Sequence, residues 1–211
     1  MWRPDINRSN VLNLESTGDE FIQRFRLNFR QRFSIFNASA GYGIQANRSE
    51  VIQDPFSLPA NNYDLRAEWA RMGQRHMFNG AMNAQLPLGF FLTGSVFASS
   101  GRYYTITTGK DDNYDTQVND RPLGRPRNSA TGPGMLTFSF NISKAFFFGT
   151  PNAGNGNSNT RTNVNLFANM NNAFNRLNYG QPSGVMTSPN FGKSTSALDP
   201  REFEVGLRFQ F

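Results

Sequence analysis

The stretch 111–127 gathers the side chains best suited to chemistry: Asp111, Asp112, Asp115 and Asp120, then Arg121, Arg125 and Arg127. Asp111-x-Asn113-x-Asp115 places oxygen donors at the spacing that opens a calcium loop. Thr116, however, stands where such a loop turns on Gly, and Pro122 where it closes on a bidentate Glu. A solvated loop is the better account, and no metal is assigned. The three arginines carry planar, multi-donor heads that suit carboxylate or phosphate, and with Tyr103 and Tyr104 they make the candidate ligand site. The competing reading pairs these arginines with the neighbouring aspartates. His76 is the single histidine. It falls in the apolar phase of its segment, so a structural or interfacial role is preferred to metal ligation. A Ser-His-Asp set can be drawn around it only on paper, because no nucleophile motif accompanies it. No catalytic residue, cofactor or enzyme activity is expected.

Loops need a frame, and the frame is written most plainly in the last residues. Phe203, Val205, Leu207, Phe209 and Phe211 alternate with Glu202, Glu204, Gly206, Arg208 and Gln210. That period of two fits a strand with one apolar and one polar side. Bare in water, such an aromatic strand invites edge-to-edge aggregation. It points instead to a sheet closed on itself with lipid outside.

The same alternation recurs upstream. Val11, Leu12 and Leu14 read as the end of a first strand, before a polar turn at 16–19. The segment 21–32 sets Phe21, Phe25, Leu27 and Phe29 against Arg24, Arg26, Asn28, Arg30 and Arg32. A helix competes there, because Phe21, Ile22, Phe25, Phe29, Phe33 and Phe36 also share a helical stripe. It would put Arg32 inside that stripe and Leu27 opposite it, so strand is preferred. Further strands are expected at 36–47, 75–86, 90–100, 135–147 and 162–171, with a tight turn at Pro87-Leu88-Gly89. Segments 50–74, 101–134 and 172–200 read as long loops, and 149–160 as a Gly/Asn-rich link.

Composition agrees with two-faced strands. Of 211 residues, 37% are hydrophobic and 14% aromatic, with 21 Phe and a formal net charge of +6. No stretch approaches the roughly 18 to 20 consecutive apolar residues of a spanning helix. The lack of Cys argues against a disulfide scaffold or a thiolate metal site. The arginines are spread through alternating patterns instead of forming a basic tract, so nucleic acid is not an expected partner. Residues 1–5 show no basic region followed by an apolar one. A barrel bound for an outer membrane needs such a leader, so either the chain is the carboxy-terminal part of a longer protein, which is the expectation, or the barrel reading is wrong.

Short turns after Arg32 and Leu86 alternate with the three long loops, the 149–160 link being the exception. Outer-membrane barrels have short periplasmic turns and long extracellular loops, and this phase leaves the carboxy-terminus periplasmic. An arginine facing lipid at the bilayer midplane costs about 2 to 4 kcal/mol, so turning Arg24, Arg26, Arg30 and Arg32 outward would cost on the order of 10 kcal/mol. They are expected to face the lumen, solubilising its wall or meeting acidic groups there. In this frame Arg121, Arg125 and Arg127 lie on an extracellular loop, where lipopolysaccharide phosphate joins the candidate ligands. For Tyr103, Tyr104 and Trp69 an aromatic girdle is preferred to ligand contact.

Several motifs then carry a family resemblance. They are Asp64-Leu65-Arg66-Ala67-Glu68-Trp69 with Arg75-His76-Met77-Phe78-Asn79-Gly80, Asn119-Asp120-Arg121-Pro122 with Arg127-Asn128, and Asn171-Asn172-Ala173-Phe174-Asn175-Arg176-Leu177-Asn178-Tyr179. Phe191-Gly192, Asp199-Pro200-Arg201 and the terminal Phe211 complete the set. In their order and spacing the chain resembles the TonB-dependent receptors, in particular the Oar-like ones whose amino-terminal part carries a carboxypeptidase-regulatory-like domain. The resemblance runs from about residue 21 onward. It implies a barrel of roughly 22 strands filled by a plug, of which this chain would supply the last seven or eight strands and no plug. It also implies uptake of a nutrient ligand across the cell outer membrane, with plug and TonB contacts made by the missing part. Outer-membrane lipid, lipopolysaccharide and the barrel-assembly machinery, the last through Phe203 to Phe211, are the other implied partners. The expected fold class is thus all-β, a transmembrane antiparallel β-barrel segment over 1–211. A complete small barrel of about eight strands with a structural or adhesive role, and a soluble all-β binding module, stand as alternatives.

Overall fold

The computed structural model describes residues 18–50, 68–148 and 162–210. Val11, Leu12 and Leu14, the Asp64 to Ala67 part of the first motif, the 149–160 link and Phe211 lie outside the described residues.

Alternating sequence becomes antiparallel ladder. The strands are β1 (Glu20–Arg32), β2 (Phe36–Ser49), β3 (Ala70–Met72), β4 (His76–Gln85), β5 (Phe90–Ser99), β6 (Tyr103–Tyr104), β7 (Ala130–Thr131), β8 (Met135–Phe148), β9 (Thr162–Asn171) and β10 (Glu202–Gln210). Eight of them form one sheet in the order β1-β2-β4-β5-β8-β9-β10, with the short β3 also paired to β2. Every ladder is antiparallel, so six reversals leave β10 running in the same direction as β1. The helical alternative for 21–36 fails because β1 is paired along its whole length, from Glu20 with Ser49 to Arg32 with Asn37. A turn closed by Phe33 N donating to Phe36 O at 2.8 Å joins these two strands, and the Phe33 and Phe36 rings stack with centroids 4.3 Å apart. At Pro87-Leu88-Gly89 the chain makes a single 3-10 turn, with Leu88 (φ 62°) and Gly89 (φ 76°) both left-handed. Proline opens that turn and glycine closes it at little steric cost.

Pairing register decides which residues share a face, since directly opposed residues point the same way. One row runs Gln31, Ala38, Met82, Gly94, Phe140, Met170 and Phe203 across all seven long strands. The next runs Phe36, Ala84, Leu92, Ile142, Ala168 and Val205. A third runs Leu27, Tyr42, Phe78, Ala98 and Leu136. The apolar residues of separate strands therefore join into one continuous apolar face. On the opposite face, the row Arg32, Asn37, Asn83, Thr93, Asn141, Asn169 and Glu204 is polar throughout. It begins near the short-turn end of β1 and finishes near the long-loop end of β10, so successive strands are staggered.

Among the described residues no second layer covers the apolar face, although the Phe174 ring stacks on Phe138 at its loop end with centroids 5.2 Å apart. Ala84 is the buried hydrophobic there, Ala70 lying on the polar face opposite Ser49, while Phe25 is 63% and Phe203 64% exposed. A domain held together in water would bury its large side chains first.

Segment 101–134, read from sequence as loop throughout, contains the β6–β7 ribbon, in which Tyr103 pairs with Thr131 and Tyr104 with Ala130. The polar Asp/Asn/Gly run between these two pairs hid them, because a two-residue strand has no periodicity to detect.

Candidate functional site

The long connections leave β2, β5 and β9 at the same end of the sheet, and their side chains meet there. At the centre is Glu68, 1% exposed. Its carboxylate takes a two-pronged contact from Arg121, Nη1 to Oε2 and Nη2 to Oε1, both at 2.8 Å. Arg127 approaches the same carboxylate with Nε 3.9 Å from Oε2, while its Nη2 donates to Ser49 O at 2.6 Å. Two guanidiniums thus share one buried carboxylate, and they tie the 101–134 segment to the end of β2. Burial is the first cause pushing the Arg127 pKa below its ordinary value; Glu68 opposes that shift and the Arg121 charge adds to it.

The third arginine of the candidate site behaves differently. Arg125 is exposed, beside the fully exposed Leu123, and its backbone N donates to Pro122 O at 3.0 Å. Tyr103 lies under Arg71, whose guanidinium carbon is 5.7 Å from the ring centroid. Tyr104 sits beside it in the ribbon, its ring next to Gly184. The structure therefore brings Arg121 and Arg127 together around Glu68, and leaves Arg125 on the outside.

The acidic run folds on itself. Asp111 Oδ1 accepts from Asp115 N at 3.0 Å and Oδ2 from Thr116 N at 2.9 Å. Asp120 Oδ2 accepts from the backbone of Asp112 and Asn113, and Asp115 Oδ1 from Gln117 N at 2.8 Å. These carboxylates satisfy the N–H groups of a tight loop in which Tyr114 (φ 58°) and Thr116 (φ 73°) are left-handed. Among the described residues no group of three acidic or histidine side chains is placed to hold a metal ion. His76 accompanies Tyr42 instead, with Nδ1 2.8 Å from the phenol oxygen.

Asparagines pin the remaining loop chain. Asn178, also 1% exposed, accepts from Leu136 N at 2.8 Å through Oδ1 and donates to Leu136 O at 2.9 Å through Nδ2. It closes onto the β8 edge as a peptide group would. Asn172 donates to Arg176 O and Asp199 O, and Asn175 accepts from Arg201 N at 3.0 Å. Both take the left-handed conformation that Asn tolerates, φ 46° and φ 51°. Asn128 likewise accepts from Thr105 Oγ1 and donates to Arg71 O. Glu68, Asn172 and Asn178 had no role assigned from sequence. The signal was their place in the short motifs, whose polar residues turn out to be mutual hydrogen-bond partners.

The four arginines of β1 line the polar face. Arg24, Arg26, Arg30 and Arg32 stand opposite Gln45, Gly43, Ser39 and Asn37, with no acidic residue in those pairs. At the far side of the same face, Asn169 Nδ2 donates to Glu204 Oε2 at 2.9 Å. Phe203, Val205, Leu207 and Phe209 all point to the apolar face, where they pair with Met170, Ala168, Leu166 and Val164.

No family model matches the chain, and no curated protein or solved structure matches it either.

Proposed function

We propose that this chain is a section of a transmembrane antiparallel β-barrel in a Gram-negative-type outer membrane, serving a receptor for ligand uptake of the TonB-dependent kind. The observation that carries this reading is the largely uncovered apolar face that crosses all seven long strands, backed by a mainly polar opposite face. Lipid is the one solvent that suits the first face while the second lines an aqueous interior. The stagger of successive strands is what closing a sheet into a tilted barrel requires. The loop end adds support, because Glu68 and the asparagines hold the 101–134 and 172–200 connections as ordered structure while Arg125 and Leu123 project from it. In this reading the loops are extracellular and capture ligand, the arginines of β1 face the lumen, and β10 is the strand presented to the barrel-assembly machinery. Energised transport belongs to the whole receptor, with its plug and TonB contact.

The test is insertion. The chain should partition into phospholipid vesicles, with its short turns and strands protected from added protease and its long loops cleaved from one side only. Full recovery as a monodisperse species in buffer without detergent would overturn the proposal.

A further inference from the structure

One row of the apolar face breaks its pattern. Arg48, near the loop end of β2, stands opposite Arg71 of β3 on one side and Phe21 of β1 on the other. Opposed residues of an antiparallel pair have Cβ atoms about 4.5 to 5.5 Å apart, and like charges so placed repel. Both arginines are exposed. Among the described residues neither has an ion-pair partner, for the ion pairs found there both end on Glu68. Arg71 is nonetheless held in place. Asn128 Nδ2 donates to its carbonyl at 2.8 Å, and its guanidinium lies over the Tyr103 ring. The fold thus sets two arginines opposite each other on an apolar surface, and among the described residues no anion lies between them.

We propose that Arg48 and Arg71 form a binding site for a phosphate monoester carried by a membrane lipid. The proposal rests on the membrane reading above, since only there does this face meet lipid. A phosphate monoester carries about −1.5 to −2 charge near neutral pH and matches two guanidinium forks, whereas a phosphodiester brings one charge. The site lies where the apolar rows end and the long loops begin, which is headgroup depth. Phe21, half exposed next to Arg48, offers the apolar floor that an acyl chain covers and a free phosphate leaves wet. The opposite end of the same face has a different device. There Lys144 stands as a single cation between the rings of Phe90 and Phe146, at 4.9 and 5.0 Å.

The full chain is inserted into phosphatidylcholine vesicles, alone or doped with bis-phosphorylated lipid A, or doped with phosphatidylglycerol at equal charge. Lipid retained after detergent extraction is then measured. The native chain should retain lipid A in preference to phosphatidylglycerol. The Arg48→Gln/Arg71→Gln variant should lose about tenfold or more of that retention, and Arg48→Lys/Arg71→Lys should fall between them. Equal retention by native and Gln variants overturns the proposal, as does equal retention of the two doping lipids. Release of the lipid by millimolar inorganic phosphate assigns the site to free phosphate and overturns the lipid source. If the double Gln variant fails to insert, Arg48→Gln alone decides, because it leaves the Asn128 contact to β3 untouched. A native chain open to protease in every vesicle means that the membrane reading has failed and this proposal with it. A protected chain with no lipid A preference means that only this proposal has.

Discussion

Glu68 shows how little a side chain's type says about its role until its partners are known. Its carboxylate is out of solvent and holds two arginines, so Glu68→Gln leaves two buried cations facing a neutral amide. Removing one partner of a buried ion pair costs about 3 to 5 kcal/mol. Chemical denaturation of the vesicle-inserted variant should show a loss of that size, with protease cleavage appearing first in 101–134. Asn178→Ala should cost less, about 1 to 3 kcal/mol, because it strands the backbone N–H and C=O of Leu136. Faster hydrogen exchange at the Leu136 amide is the local readout. The sequence made Arg121, Arg125 and Arg127 legible as a cluster and not as two kinds of residue. Glu68 is 53 positions from Arg121, and neither periodicity nor motif spacing reports a contact of that range.

At the scale of the strand, alternation was enough. The seven long strands fall where a period of two placed them, because each has one face that water tolerates and one that it does not, and a slip of a single residue would exchange them. Not every position keeps the alternation. Phe91 and Phe97 interrupt the alternation of β5, and both lie on the polar face, opposite Ser143 and Thr137. Phe167 is another such residue; its ring fills the space over Gly206, where an added Cβ would run into the ring. Gly206→Val should therefore part β9 from β10 and lower stability, while the Gly206→Val/Phe167→Ala pair should recover much of the loss, as unfolding of both variants would reveal. Facing can be tested in the same strand. Leu207→Arg on the apolar face should cost about 2 to 4 kcal/mol in a bilayer if it lies near the midplane, whereas Arg208→Leu on the polar face should leave insertion unchanged. Equal penalties for the two would contradict the assignment of the faces.

The whole sheet has no interior of its own. Soluble monomers rarely expose contiguous apolar patches beyond a few hundred square ångströms, and a face seven strands wide far exceeds that. In buffer without detergent the chain is expected to associate, and sedimentation should show large species that a mild detergent disperses. The direction of the outermost strands has an arithmetic consequence. Since β1 and β10 run the same way, joining them directly would make a parallel ladder. A ring built wholly of antiparallel neighbours therefore needs an odd number of strands between the free edge of β10 and the free edge of β1, whatever chain supplies them. For a ring of roughly 22 strands that number is about 15. An even number would force two neighbours into parallel pairing somewhere on the circumference; any all-antiparallel ring has an even count, and what these seven strands set is that the remainder must be odd.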